Sequence, residues 1–138
     1  MTWVVSAVPP SEIKTIWPVV APLLQPAIEY SGGRIDMRSV FEWLTDGRYL
    51  LWVAYQDVAR IKAAFVTRVA TYPRRKILAV DLAGGSNLNG WLEEVDKTFR
   101  AFSRQSGLSG VELYGRPGWA RALRQFGWRQ SAAMVDTE

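Results

Sequence analysis

Cysteine and histidine are both missing from the 138 residues of this chain. Without cysteine there is no disulfide, no thiolate metal site and no sulfur nucleophile, a usage that suits a reducing cytosol. Without histidine, a hydrolase triad, an imidazole base and the common zinc sites lose their central residue, and no metal is expected. Lysine is scarce: only Lys14, Lys62, Lys76 and Lys97 occur, so the net charge of +4 rests mainly on arginine. The planar arginine fork prefers phosphate and carboxylate partners, while a solvated basic surface is the plainer reading. A membrane-length apolar run is lacking as well. The most apolar early stretch, residues 13–28, is interrupted by Pro18, Pro22 and Pro26 and has neither a charged leader nor a cleavage pattern, so it reads as core and no membrane partner is expected. Chemistry is left to carboxylates, hydroxyls, phenols, cations and backbone groups.

What is present suits residues 1–138 as a single domain, with no internal repeat, low-complexity segment or linker. At this length a chain buries roughly 70% of the surface that its unfolded form exposes. Seven tryptophans are available for that core. Residues 2–8 (TWVVSAV) read as a strand stopped by Pro9-Pro10. A helix capped by Ser11 follows, with Ile13, Ile16, Trp17, Val20, Leu24 and Ala27 on one face. Its three prolines each remove a backbone donor, which predicts a kinked or two-piece helix ending near Ser31-Gly32-Gly33. Asp36 caps a second helix with the stripe Met37, Val40, Phe41, Leu44, stopped at Asp46-Gly47.

Residues 49–55 (YLLWVAY), 60–71 (RIKAAFVTRVAT) and 77–83 (ILAVDLA) are short apolar runs separated by turns at Gln56-Asp57 and at Tyr72-Pro73-Arg74-Arg75-Lys76, and they read as successive hairpin strands. One Gly-rich loop, Gly84-Gly85-Ser86-Asn87-Leu88-Asn89-Gly90, leads into the clearest helix, residues 91–106, whose buried stripe is Leu92, Val95, Phe99 and Phe102. Glu93 with Lys97, and Asp96 with Arg100, are i, i+4 pairs in the favourable orientation. Residues 111–114 (VELY) form a short strand. Pro117 opens a last helix with Trp119, Ala120, Leu123 and Phe126 inward and Gly127 as its cap, and residues 128–135 supply a final strand.

This order, together with residues 116–128 (RPGWARALRQFGW), resembles the GNAT (GCN5-related N-acetyltransferase) superfamily across the chain, Gly127-Trp128 standing where that family has Gly-Phe. The basic turn Tyr72-Pro73-Arg74-Arg75 and the phrase Gly115-Arg116-Pro117-Gly118-Trp119 are similar to small GNAT-like proteins of tailed phages. The resemblance implies an α/β fold with a central mixed, mostly antiparallel sheet of about six to seven strands, about four flanking helices, and strands 4 and 5 splayed. It also implies acetyl-CoA between those strands, its pyrophosphate on backbone N–H groups at a helix N-terminus. Mapped onto this sequence, the cofactor contacts are Leu82, Ala83, Gly84, Gly85, Ser86, Asn87, Leu88, Asn89, Gly90 and Arg116.

Three positions depart from the family. The loop lacks the Gln/Arg that leads the family's Gln/Arg-x-x-Gly-x-Gly/Ala pattern; Glu93 and Glu94 bring negative charge to the start of the third helix; and Leu123 stands where many members carry a proton-donating tyrosine. Tyr114 is the alternative donor. Asp81, the one charged residue in its strand, and Glu112 on the neighbouring strand are the candidate general bases, although either could instead pair with an arginine of the hairpin. Arg116, Arg121, Arg124 and Arg129 surround the last helix and suit cofactor phosphates or simple solvation.

Three functions follow: an N-acetyltransferase acting on an unknown amine acceptor; a non-catalytic GNAT-fold protein, such as a phage accessory or virion-associated component, acting through a protein partner; or an arginine-based binder of nucleic acid or an acidic partner, whose binding would fall steeply with salt. Specific nucleic-acid binding is not expected, because no helix-turn-helix, zinc spacing or aromatic RNA-binding pattern is present. The tryptophan content leaves room for a homo-oligomer. The expected location is cytoplasmic, meaning host cytoplasm or virion if the chain is phage-encoded.

Overall fold

The structure, a computed structural model, describes residues 2–57, 59–86, 88–131 and 137. Among these, five strands form one sheet in the order β1-β2-β3-β4-β5: β1 Val4–Val8, β2 Leu50–Tyr55, β3 Ile61–Tyr72, β4 Arg75–Gly85 and β5 Val111–Leu113. The first three pairings are antiparallel. β4 and β5 run parallel, as their connection through a long helix requires. Helices α1 Ile13–Tyr30 and α2 Met37–Thr45 precede β2, α3 Leu88–Gln105 links β4 to β5, and α4 Pro117–Leu123 follows β5.

Both faces of the sheet are covered, which explains why the central strands read as continuous apolar runs: residues 51–54 and 63–67 are buried without a break. On one face Leu51, Val53, Ala64, Val66 and Leu82 pack with Val20, Leu24 and Ile28 of α1 and Val40 and Leu44 of α2. On the other, Trp52, Ala54, Phe65, Leu78, Val80 and Ala83 pack with Trp91, Val95 and Phe99 of α3 and Trp119 and Leu123 of α4. Edge-on ring contacts join Trp52 to Phe99 and Phe65 to Trp91, so these tryptophans are core residues, as the sequence pattern suggests. The buried indole of Trp52 donates to Thr67 Oγ1 at 2.9 Å.

Four expectations change. Helix α1 is one continuous 18-residue helix, not two pieces. Prolines spaced by four share a face, and here Pro18, Pro22 and Pro26 are all exposed. The carbonyls they leave without a helical donor, those of Lys14, Pro18 and Pro22, therefore lie on the face open to water, which is the least costly place for them. The hairpin turn is only Pro73-Arg74, with β3 reaching Tyr72 and β4 starting at Arg75. The Gly-rich loop contracts, because β4 takes in Gly84 and Gly85 while α3 takes in Leu88, Asn89 and Gly90.

Finally, five strands replace the six to seven implied by the resemblance. Of the strand expected at residues 128–135, positions 128–131 are not strand and 132–135 lie outside the described residues. Trp128 is drawn to α3 and away from the sheet: its indole donates to Asp96 Oδ1 at 2.7 Å, and Arg100 lies over its ring. Gly127, at φ 87°, makes the left-handed turn that brings it there.

Candidate functional site where β4 and β5 part

The β4–β5 ladder is short, pairing Leu78 with Val111, Ala79 with Glu112 and Val80 with Leu113; the Tyr114 amide then donates to the Val80 carbonyl at 3.0 Å. Beyond that point β4 continues against β3 alone as far as Gly85, while the β5 side turns through Gly115 and Arg116 into α4. At the parting point β4 carries an extra residue. Thr67 pairs with Val80 and Val66 with Leu82, which leaves Asp81 as a bulge. Backbone groups of β4 past Val80 thus face a gap on the β5 side.

The bulge points Asp81 at β3. Its carboxylate receives Arg68 Nε at 2.6 Å, and the acid side chain is 11% exposed against 34% for the arginine. The hydrogen bond to Asp81 raises the Arg68 pKa further. Tyr49 stands beside them, its phenol pushed up first by burial and then by the Asp81 charge. Glu112 is engaged too: Tyr72 Oη donates to its Oε1 at 2.5 Å. That bond raises the Tyr72 phenol to about 12. Since Tyr72 lies on β3 and Glu112 on β5, the ring reaches across β4, above the row where Ile77 and Ala79 are buried. Tyr114 is exposed and close enough to Tyr72 to raise its phenol slightly.

Val111 and Leu113 pack toward α3, so alternation places Glu112 and Tyr114 on the opposite face, the one bearing Arg68 and Asp81. The three sequence candidates Asp81, Glu112 and Tyr114 therefore share one face next to the gap. The sequence reading missed Tyr72 as the partner of Glu112. Arg68 had a legible signal, being one of only two charges within residues 61–71, with a hairpin register that sets it beside Asp81.

The Gly-rich segment has a different construction from the one its letters suggest. A side chain on Gly84 would run into the Leu23 carbonyl of α1; one on Gly85 would meet the Lys62 carbonyl and sit 2.6 Å from Ala63 Cα; one on Gly90 would sit 2.8 Å from the ring of Trp3. Gly84 and Gly85 are thus required by close backbone packing within the chain, while at Gly90 the neighbour is the side chain of Trp3. The Ser86 amide is spent on Lys62 O at 2.9 Å, and the Ser86 carbonyl takes the Trp91 indole at 2.6 Å. Leu82 and Ala83 are buried, and Asn87 lies outside the described residues.

The donor set nevertheless suits an anion. The N–H groups of Leu88, Asn89 and Gly90 open an 18-residue helix and have no acceptor within it. No carboxylate stands in the first turn, because the helix starts three residues earlier than expected and moves Glu93 and Glu94 into the second. The Ser86 side chain is exposed beside them, and exposed Arg116 caps α4 across the gap. A cavity of about 430 Å³ lies further along, lined by Asn89, Leu92, Glu93, Gln125 and Phe126. Leu123 is buried in the core. Among the described residues no group of three or more acidic side chains is arranged to hold a metal, and no helix is long and apolar enough to cross a membrane.

Comparison with solved structures identifies the architecture. An aminoglycoside acetyltransferase from an uncultured soil metagenomic sample superposes with a TM-score of 0.69 at 15% identity, covering 100% of this chain and 99% of that one. A predicted acetyltransferase from Clostridium acetobutylicum, solved with acetyl-CoA, gives 0.68 at 10% identity, covering 99% and 96%. A GCN5-related N-acetyltransferase from Ralstonia eutropha gives 0.66 at 13%, covering 99% and 98%. The chain thus has the fold of the GNAT acetyltransferases. No family model matches the sequence, and no curated protein matches it.

Proposed function

We propose that the protein is an acetyl-CoA-dependent N-acetyltransferase of direct-transfer type, operating as a single cytoplasmic domain. The observation that carries this reading is the parting of β4 from β5 at Val80 and Leu113, with the Asp81 bulge on the lip of the gap and the N-terminus of α3 at its far end. Unpaired β4 backbone beyond Val80 offers strand-like hydrogen bonds to an extended ligand. Leu88, Asn89 and Gly90 N–H groups, with the Ser86 hydroxyl and Arg116, would hold the pyrophosphate. When bound, acetyl-CoA supplies the thioester carbonyl on which an amine acts.

The chain's own residues arrange the acceptor side. Asp81, held by Arg68, fixes the floor of that face. Among the described residues Glu112 has a phenol for its partner, so it attracts a protonated amine and accepts its proton at a carboxylate oxygen. Tyr72 orients that carboxylate. Tyr114 is the hydroxyl available as the acid, since Leu123 has no proton to give. Among the neighbours, one aminoglycoside acetyltransferase was solved in complex with sisomicin, and aminoglycosides therefore head the acceptor screen.

One observation favours the rival reading of a non-catalytic binding protein, including the phage accessory or virion role and a protein partner: Gly84, Gly85 and Gly90 are all accounted for by packing and need no ligand. Calorimetric titration with acetyl-CoA and with CoA in moderate salt separates the two. One-to-one micromolar binding, abolished by Ser86→Glu at its exposed position, is the expected result. Absence of any heat with either ligand would end the transferase reading and direct the search to protein partners.

A further inference from the structure

The β3–β4 hairpin projects past β2. The last pair of the β2–β3 ladder is Leu50 with Thr67, whereas β3 runs on to Tyr72 against β4 alone. The chain before Leu50 has turned aside, with the Tyr49 amide on the Trp43 carbonyl and the Arg48 amide on the Asp46 carboxylate. On the other side of the hairpin, the Leu78 amide is bonded to the Gly110 carbonyl, and the carbonyls of Lys76 and Val80 accept from Ser109 and Tyr114. Alternation therefore turns the backbone groups of Ile77 and Ala79 toward β3, where they meet Ala70 and Arg68. Val69 and Thr71, the residues between, direct their N–H and C=O groups to the side that β2 leaves open, and among the described residues no backbone group pairs with them there.

A cavity of about 240 Å³ opens beside this edge, lined by Leu50, Leu78 and Phe102 together with Val69, Arg48 and Tyr49. Leu78 is buried, while Val69 is 51% exposed. The volume lies below the roughly 300–1,000 Å³ of small-molecule sites and suits one large apolar side chain. Past the edge the hairpin ends in Arg74, Arg75 and Lys76, all exposed and in no ion pair among the described residues. Lys76 is opposite Thr71 and so stands on the same face as the cavity. The nearby acids are already engaged, Asp46 by Arg48, Asp81 by Arg68 and Glu112 by Tyr72, which leaves the tip strongly positive.

We propose that this edge docks an extended acidic segment of another protein, which adds a strand beside Val69 and Thr71, seats one large apolar side chain in the cavity and sets its carboxylates against the Arg74-Arg75-Lys76 tip. Strand addition draws affinity from main-chain hydrogen bonds and specificity from pockets for alternate side chains, and both are present here. Nucleic acid would use the tip but neither the strand edge nor an apolar hole. A second copy would bring the same basic tip and the same net charge of +4. The site lies at the hairpin end of β4, away from the parting beyond Val80, and does not depend on the transferase reading.

The test begins with panning a library of random peptides on the intact protein. It should enrich acidic sequences that carry one large apolar residue, and a selected peptide should bind more weakly as salt rises. Serine in place of that apolar residue, or N-methylation of alternate amides in the peptide, should each weaken binding by about tenfold or more. Both changes read the contacts without touching the fold. On the protein, Val69→Pro removes an outward N–H at an edge position where proline is tolerated. It should weaken binding similarly, as should Arg74→Glu, Arg75→Glu and Lys76→Glu combined, with circular dichroism and urea denaturation to verify folding. Failure to enrich any acidic family overturns the proposal, and so does binding that is indifferent to N-methylation and to the apolar residue. A wild type that prefers mixed-sequence single-stranded DNA in competition assigns the tip to nucleic acid instead. Sedimentation showing a dimer that Val69→Pro dissociates would make the occupant a second copy and overturn the proposal equally.

Discussion

Removing the Asp96 carboxylate should loosen the end of α4 from α3 at a cost of about 2 kcal/mol. Among the described residues, Asp96 is the one ionisable residue of the buried polar groups. Its Oδ1 accepts from Trp128 Nε1 at 2.7 Å and from Arg100 Nε at 2.7 Å, and Arg100 passes the connection on by donating Nη2 to the Phe126 carbonyl at 2.8 Å. A hydrogen bond to a charged group contributes about 1.5–3 kcal/mol when well shielded. The indole bond deserves most of that range because the Asp96 side chain is only 12% exposed. The Arg100 guanidinium is 47% exposed, so its ion pair contributes less than about 1 kcal/mol.

Asp96→Ala loses both, and Asp96→Asn, which keeps an acceptor but no charge, should lose about half as much. Urea denaturation followed by circular dichroism measures the change without relying on the tryptophan that is perturbed. A double-mutant cycle with Trp128→Phe should return a coupling of about 1 kcal/mol. A stability for Asp96→Ala within about 0.5 kcal/mol of wild type, or a coupling indistinguishable from zero, would refute the latch.

Two further outcomes follow from the geometry. Gly84→Ala should destabilise by at least about 1–3 kcal/mol in urea because its methyl group collides with the Leu23 backbone, whereas Gly110→Ala, with nothing near its added carbon, should be close to neutral; equal effects would show that α1 does not approach β4 this closely. The Tyr72 phenol, raised from its ordinary 10.0 to about 12 by Glu112, favours the folded protein while protonated. This contribution is full below about pH 10 and lost as pH rises through 12, so tyrosinate absorbance should show a late-titrating phenol that Tyr72→Phe removes and Glu112→Gln shifts downward.

The elements that sequence patterns located well are those whose signal is local. Asp36 caps α2 by accepting from Ser39 N at 2.7 Å, and the stripe of residues 92, 95, 99 and 102 packs on the sheet as its spacing demands. The prolines of α1 were misjudged although their signal is local: the four-residue spacing itself places all three on the solvent side. The rest of what escaped detection depends on partners distant in sequence. Glycines in a row look like a phosphate loop, and only the approach of Leu23, Ala63 and Trp3 shows that they are packing glycines. The link from Tyr72 to Glu112 spans 40 residues, and no periodicity announces it. Of the candidate residues, Asp81, Glu112 and Tyr114 were legible as polar positions on or next to strands; the difference between the two carboxylates was not, because it comes from partners on β3, a guanidinium for Asp81 and a phenol for Glu112.

That inequality gives the gap two unlike sides. On the α1 face, Arg68 is paired with Asp81, while Glu112 is held by the Tyr72 phenol and, among the described residues, by no cation. On the α3 face the wall is aromatic and dry, formed by Trp91 and Trp119 with Val80 and Ala83 beneath. On the proposed function, a charged amine would favour the first side and an acyl chain the second, so the two reactants would reach one short break in the sheet from opposite faces. The bulge at Asp81 sits at the boundary, where a shift of one residue in register decides which face a side chain joins.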